Sequence, residues 1–366
     1  MKIADIVSFL ESLAHPSLQE SYDNAGLITG SPDWPCTGIL VSLDATEAVV
    51  NEAKLQNCNL IVAHHPIVFG GLKKLNGSNY VEKTVIAAIK NDIAIYAIHT
   101  NLDNVSHGVN GIIAARLGLT GCSVLLPKPN TLRKLYTFVP VAQAAQVREA
   151  IFAAGGGHIG HYSECSFSAA GTGTFKGGAG TQPFADEPGK QHQEDELKLE
   201  VLFPAYLQKA IISAMIAAHP YEEVAYDVVA LENSHPGIGA GIVGQLPAPL
   251  EEKAALELLC RVFGVPVVRH TALAGRPVSR VAVCGGAGSF LISRALSAGV
   301  QLFVTADVKY HEFFDANDRM VLADVGHFES EQFTVDGLVA VLREKFPTFA
   351  TLKTSVITNP VHYFLG

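Results

Sequence analysis

The stretch Asn59-Leu60-Ile61-Val62-Ala63-His64-His65-Pro66 decides how the chain is read. Its apolar run has the length and composition of a short buried strand. The run ends in two adjacent histidines and a proline, which cannot donate to a ladder. Folding needs neither histidine there. On extended backbone the two would face opposite ways. At a strand end that breaks into a loop, both imidazoles can turn toward one point, and neutral imidazole is the commonest metal ligand. The competing reading, two polar loop residues, is set aside because two other segments have the same form.

The second segment is His99-Thr100-Asn101-Leu102-Asp103, behind the apolar run Ile93–His99. The third is Gly326-His327-Phe328-Glu329-Ser330-Glu331, behind Met320–Asp324. If a helix starts near Gly326, His327 and Glu331 are one turn apart on one face. The strand ends together supply His64, His65, Asp103, His327 and Glu331. Three imidazoles and two carboxylates exceed the needs of one catalytic zinc. They suit two divalent ions per chain, roughly 3.5–4 Å apart, that share a carboxylate. Asp103 and Glu331 are the candidates to bridge, because each has two oxygens to offer. Zinc, manganese and iron(II) all fit a mixed nitrogen and oxygen set.

Outward from these segments, strands alternate with helices. Gly38–Asp44 reads as a strand, Ala45–Gln56 as a helix capped by Thr46, and Tyr80–Lys90 as a helix with Val81, Val85, Ile86 and Ile89 on one face. Gly108–Leu117 reads as a helix ended by Gly118. An amphipathic helix over Ile3–Leu13 opens the chain. After residue 278 the pattern returns: strands at Val278–Cys284, Leu302–Thr305, Met320–Asp324 and Lys353–Ile357, and helices at Ser289–Ala298 and Phe333–Lys345. Between these parts the period changes. Strands at Leu135–Pro140, Tyr162–Phe175, Glu196–Phe203 and Glu223–Leu231, with helices at Ala144–Ala154 and Ala205–Ala218, give the order β-α-β-β-α-β of a ferredoxin-like unit. Residues 176–194 should be a hairpin or long loop. The expected organisation is therefore a split α/β domain from residues 1–133 and 233–366, with an α+β domain, 134–232, inserted between its halves.

The chain has 366 residues, enough for two domains, and 48% of them are hydrophobic, which supplies a large core. A net charge of -9 with no Lys/Arg cluster argues against binding driven by nucleic-acid phosphates. It also means that any phosphate recognition must be local. The six cysteines are scattered and form no C-x-x-C pair. They read as small buried residues in a reducing compartment. No secretion signal opens the chain and no apolar run is long enough to span a bilayer, so a cytoplasmic protein without membrane contact is expected.

Several other motifs have two readings. Gly285-Gly286-Ala287-Gly288 could hold an anion on backbone N–H groups, but it is not G-x-G-x-x-G, and tight packing is the stronger reading. No binding residue for an organic cofactor is assigned. His158 and His161, in Gly155-Gly156-Gly157-His158-Ile159-Gly160-His161, read as a turn rather than a second metal site. His219-Pro220-Tyr221-Glu222-Glu223 reads as a loop entering a strand. Tyr22-Asp23-Asn24-Ala25-Gly26-Leu27 is a polar turn, with a site role equally open.

The segments Ala63-His64-His65-Pro66, His99-Thr100-Asn101-Leu102-Asp103, Thr305-Ala306-Asp307-Val308-Lys309-Tyr310-His311-Glu312 and Gly326-His327-Phe328-Glu329-Ser330-Glu331 together resemble the Nif-three-like family, whose longer bacterial members are GTP cyclohydrolase I type 2 homologues. Asp23–Leu27 and Cys284–Gly288 fit the same pattern. The inserted block is similar to the PII/CutA-like module of those longer members. The resemblance implies a di-metal centre, a toroidal homohexamer and a site facing its inner cavity. It also implies roles for the neighbours of the ligands. Asp307 and His311, four apart after a strand, would position a ligand or move protons. His99 would orient Asp103 or a water and take part in proton transfer.

Two functions are compatible with these features. The first is a metal-dependent hydrolase in which ions activate water against a small-molecule, nucleotide-like substrate. In a GTP cyclohydrolase-type reaction the attack falls on the imidazole-ring carbon of guanine, with His99, Asp307 or His311 moving protons; in phosphoester hydrolysis the ions clamp the attacking and leaving oxygens. The second is a non-enzymatic metal-handling or regulatory protein with a ligand-sensing insert.

Overall fold

The computed structural model describes residues 1–364 apart from 179, 183 and 185–187. Those positions of the expected 176–194 loop, and 365–366 of the expected second half, lie outside the described residues. The chain divides into two compact units, Met1–Leu126 with Gly237–Gly366, and Pro127–Pro236.

In the first unit, α1 (Ile3–Leu13) is followed by β1 (Gly26–Thr29), β2 (Ile39–Asp44), α2 (Glu47–Leu55), β3 (Leu60–His65), α3 (Tyr80–Lys90), β4 (Ala94–Ala97), α4 (Thr100–Asp103), α5 (Val109–Arg116) and β5 (Thr120–Pro127). The second unit carries β6 (Leu132–Pro140), α6 (Ala144–Ala153), β7 (Phe167–Lys176), β8 (Gln191–Pro204), α7 (Gln208–Ala218) and β9 (Tyr226–Ala230). The chain returns to the first unit with β10 (Gly239–Leu250), α8 (Glu252–Phe263), β11 (Arg269–His270), β12 (Val278–Ala287), α9 (Ile292–Ser297), β13 (Leu302–Ala306), β14 (Val321–Asp324), α10 (His327–Glu331), α11 (Phe333–Lys345) and β15 (Thr351–Lys353).

The first unit holds two mixed sheets, ordered β1-β4-β3-β2-β15 and β11-β14-β13-β12-β10-β5. Each sheet takes an edge strand from the other half of the sequence. β15 pairs in parallel with β2, and β5 pairs with β10. The central strands β2, β3 and β4 are parallel, as are β12, β13 and β14. Their apolar residues are buried on both faces, as covered parallel strands require. Leu40, Ile61 and Ile95 pack with Val49, Val50 and Val85 of α2 and α3. Ala282, Phe303 and Leu322 pack with Leu291, Ile292 and Ala295.

The second unit is one antiparallel sheet, β7-β8-β6-β9, with α6 and α7 packed on it through Val147, Ile151, Ile211 and Met215. With its β-α-β-β-α-β chain order this is the ferredoxin-like arrangement. Its ends lie outside the expected 134–232. β6 starts at Leu132, and the His235 N–H donates to the Thr131 hydroxyl at 2.8 Å, tying entry to exit.

Other expectations change. β8 begins at Gln191, inside the expected loop, because it zips to β7 through ten register pairs. In α3 the buried face runs through Val85 and Ala88, and Ile89 is exposed. β12 continues through Gly285 and Gly286 to Ala287 instead of stopping at Cys284. The last strand lies at Thr351–Lys353, not 353–357, since only that stretch has β2 as a partner. β5, β10 and the amphipathic helix α8, buried through Ala255, Leu259 and Phe263, were not anticipated.

Candidate metal centre

The carboxyl ends of parallel strands are where an open sheet presents ligands. In the first unit, both sheets direct such ends to one place. β3 ends in His64 and His65. The turn after β4 carries His99 and leads into α4, which ends at Asp103. β13 ends just before Asp307, and β14 leads through Gly326 to α10, which opens with His327 and closes with Glu331.

The side chains converge. His65 Nε2 lies 2.9 Å from Glu331 Oε2 and 3.3 Å from His327 Nε2, and His327 Nε2 lies 3.1 Å from the same Oε2. His64 Nε2 is 3.6 Å from Asp103 Oδ1 and 3.9 Å from Glu331 Oε2. The His99 ring centroid is 5.3 Å from those of His64 and His65. Among the described residues, three groups have ligand atoms close enough for one ion: His65–His327–Glu331, His64–Asp103–Glu331 and His64–His65–His99.

Each of the four histidines is held by its far nitrogen. His64 Nδ1 donates to the Ile98 carbonyl at 2.8 Å, and His65 Nδ1 to Asp44 at 2.7 Å. His99 Nδ1 donates to Asp23 at 2.8 Å, and His327 Nδ1 to Asp307 at 2.7 Å. A donor proton on Nδ1 leaves the Nε2 lone pair for the cluster, which is how protein ligands are set toward a metal. His64 is fully buried, yet its Nε2 and the Asp103 Oδ1 are the cluster's atoms with no hydrogen-bond partner. Buried polar atoms are rarely left so. The donor set therefore fits divalent cations.

Electrostatics agrees. Burial opposes charge on Glu331, but hydrogen bonds from His327 and His65, with the His64 ring close by, hold its carboxyl well below the usual range. Asp103 is pushed up to about 7 by burial and by the Glu331 charge. Burial would lower His65, but Asp44 and Glu331 lift it to about 10. His327 is lifted to about 9 against its burial by Glu331 and Asp307. Asp23 is lowered to about 2, despite burial, by its bonds from His99 and Thr100. Without an ion, protons neutralise the charge that a cation would neutralise.

The sequence profile of the Duf34/NIF3 (NGG1p interacting factor 3) family matches residues 1–360. The chain belongs to this family. The GTP cyclohydrolase 1 type 2 homolog of Halalkalibacterium halodurans is 37% identical over 367 residues, covering 99% of this chain and 98% of that protein. The protein of the same name from Mycobacterium tuberculosis is 36% identical over 368 residues, covering 98% and 96%. The crystal structure of a Bacillus cereus protein related to NIF3 matches with a TM-score of 0.87 at 36% identity, covering 100% of this chain and 99% of that one. Staphylococcus aureus protein SA1388 matches at 0.78 and 27%, with the same coverage.

In this NIF3-family chain the five expected ligands, His64, His65, Asp103, His327 and Glu331, stand together. His99 joins them through its ring, held by Asp23 rather than directed at Asp103. Asp307 reaches the site through His327, whose Nδ1 donates to it. His311 does not reach it: among the described residues its ring contacts are with Tyr310 and Phe314. The reason is local. Asp307 has φ +54° and lies before the 3-10 helix Tyr310–Ala316, so the two never share a helical face. His158 and His161 are exposed and belong to no metal-capable group among the described residues.

Gly285 and Gly286 are explained by packing. A Cβ at Gly285 would meet Val109 and Ile113, and one at Gly286 would strike the Glu331 carboxylate. The sequence reading missed Asp44. The sequence shows only a carboxylate at a strand end; the pairing of β2 with β3 is what puts it in register with His65.

Proposed function

We propose that this protein is a metal-dependent hydrolase that carries two divalent ions per chain and acts on a nucleotide-like small molecule. The carrying observation is the four-histidine arrangement, each Nδ1 tied to an oxygen and each Nε2 left for one acidic cluster. His65 and His327 would hold one ion and His64 and Asp103 the other, with Glu331 common to both groups. Zinc, manganese and iron(II) suit this donor set. An ion held by these residues would bring the pKa of bound water toward neutrality and polarise an electrophile.

Around them, Asp44, Asp307 and the Ile98 carbonyl keep three rings in orientation. His99, braced by Asp23, is the group placed to accept or return a proton. The nucleotide-like substrate is supported by the name shared by the relatives, GTP cyclohydrolase 1 type 2 homolog. A cytoplasmic homohexamer completes the reading. No helix among the described residues is long and apolar enough to cross a membrane. Light scattering on the purified protein tests the assembly, and a monodisperse monomer refutes it. The function is tested by screening metal-loaded protein against nucleotides, with chelated protein and the Glu331→Gln variant as controls. Turnover lost in both controls supports hydrolysis. Full metal content with no turnover in the screen favours a metal-handling role instead.

A further inference from the structure

Beside the cluster stand two large aromatic side chains that the metal centre does not use. Tyr22 is 64% exposed and Phe69 53% exposed. Their ring centroids are 6.2 Å apart at 43°, and the Phe69 ring stands edge-on to His99, centroids again 6.2 Å apart. His99 in turn touches the His64 and His65 rings. The aromatic surface is thus continuous with the ligands.

Neither ring is on a loose end. Asn24 Nδ2 donates to the Val68 carbonyl at 2.6 Å, tying the turn that carries Tyr22 to the segment that carries Phe69. Asp23, between Tyr22 and Asn24, accepts from the Thr100 N–H as well as from His99. One turn therefore braces both the proton-transfer histidine and the aromatic pair. Gly70 and Gly71 follow Phe69, and a Cβ on either would meet nothing within 4 Å, so packing does not demand glycine there. What the pair offers a ligand is aromatic face, which stacks well on flat heteroaromatic rings.

We infer that Tyr22 and Phe69 form an aromatic platform on which a planar, nucleobase-like ring of the substrate stacks beside the metal cluster. This rests on the hydrolase reading of the same cluster. It specifies the substrate as one whose heteroaromatic ring is part of, or directly next to, the bond to be hydrolysed.

The test uses full-length, metal-loaded protein and 2-aminopurine riboside 5′-monophosphate, whose fluorescence falls on stacking. Saturable quenching is expected. Phe69→Leu and Tyr22→Leu, which keep apolar bulk but lose the ring, should each weaken binding about ten-fold, within the range of one base–aromatic stack. Phe69→Trp and Tyr22→Phe should restore it. Ribose 5-phosphate should not displace the probe, and metal content should match the parent in every variant. The platform is overturned if the parent shows no quenching, or if the double Leu variant, at parental metal content, binds the probe as tightly as the parent. It is also overturned if Phe69→Leu lowers the assembly mass while probe binding persists, which would make the patch a contact between copies. Probe binding without hydrolysis of any nucleotide would refute the hydrolase reading and leave the platform standing. Hydrolysis unaltered in the double variant would do the reverse.

Discussion

Asp44 and His65 are register partners on adjacent parallel strands, and the Asp44 carboxylate accepts a hydrogen bond from His65 Nδ1–H at 2.7 Å. The other Asp44 oxygen accepts from the Thr358 hydroxyl at 2.5 Å, so the segment after β15 secures the carboxylate that secures the ligand. Asp44→Asn keeps the shape and removes the charge that steadies the imidazole. It should weaken metal binding about 10–100-fold, the usual effect of losing such a partner. Chelator competition checks this, with circular dichroism to show that the fold persists. Unchanged affinity would mean that Asp44 does not position His65.

Metal affinity should depend on pH in a definite direction. In the metal-free protein, burial opposes charge on His65 and His327, but their carboxylate partners lift them to about 10 and about 9. An ion must displace those protons, so affinity should fall as pH falls, and binding at pH 7.5 should acidify a weakly buffered solution. The stability of the metal-free form runs the other way. Groups raised above their unfolded value near 6.5 contribute stability that is fully present below that value and lost as pH rises through 9 to 10. Melting curves of chelated and loaded protein from pH 6.5 to 10 should therefore diverge as pH rises. Parallel curves would show that no ion replaces those protons.

His219 gives the second unit the opposite pH sensitivity. Its Nε2–H donates to the Phe138 carbonyl at 3.1 Å, and its Nδ1 accepts from the Tyr221 N–H at 3.1 Å. The ring is therefore neutral, and burial lowers its pKa. A lowered group contributes stability that is present above the unfolded value and lost as pH falls through the folded one. Hydrogen exchange at the Tyr221 amide should accelerate between pH 7 and 5 beyond the intrinsic chemical trend. His219→Gln should remove that acid-dependent excess.

What the sequence disclosed follows from how local each signal is. His327 and Glu331 could be paired from spacing because one helical turn links them, and α10 carries that out. His64 and His65 could be placed because Pro66 marks the strand end. Asp44 could not be attached to His65 in the same way, since that contact depends on which strand neighbours β3. β5 and β10 were missed for a related reason. Thr120-Gly121-Cys122-Ser123 and the Pro- and Gly-containing run of β10 have weak strand propensity, and cross-strand pairing makes them strands. Asp307 positions His327, but its pairing with His311 was misread, because a spacing of four has meaning only inside a helix and the helix there starts after Asp307.

Changing Glu331 to Gln removes the one charge common to two of the metal-capable groups. Metal analysis by mass spectrometry should show a metal content well below the parent's. The same measurement on a His158→Asn/His161→Asn variant should show parental content, because both residues are exposed in the other unit. Full occupancy in the Glu331 variant with loss in the histidine pair would move the site out of the first unit.

Gly286→Ala tests whether the glycines at the end of β12 serve the centre or only the strand. Gly286 has φ +60°, where a Cβ costs about 1–2 kcal/mol. Its N–H donates to Ser330 Oγ at 3.0 Å and its carbonyl accepts from Thr305 Oγ1 at 3.1 Å, so the backbone cannot readily turn to relieve that cost. The new methyl would point at the Glu331 carboxylate and the His327 ring. Metal content should therefore fall further than the loss of stability alone predicts. Gly285→Ala provides the comparison, because its methyl would meet first the Val109 and Ile113 side chains. It should lower the melting temperature with a much smaller loss of metal. Equal metal loss in the two variants at equal destabilisation would reduce Gly286 to a packing residue.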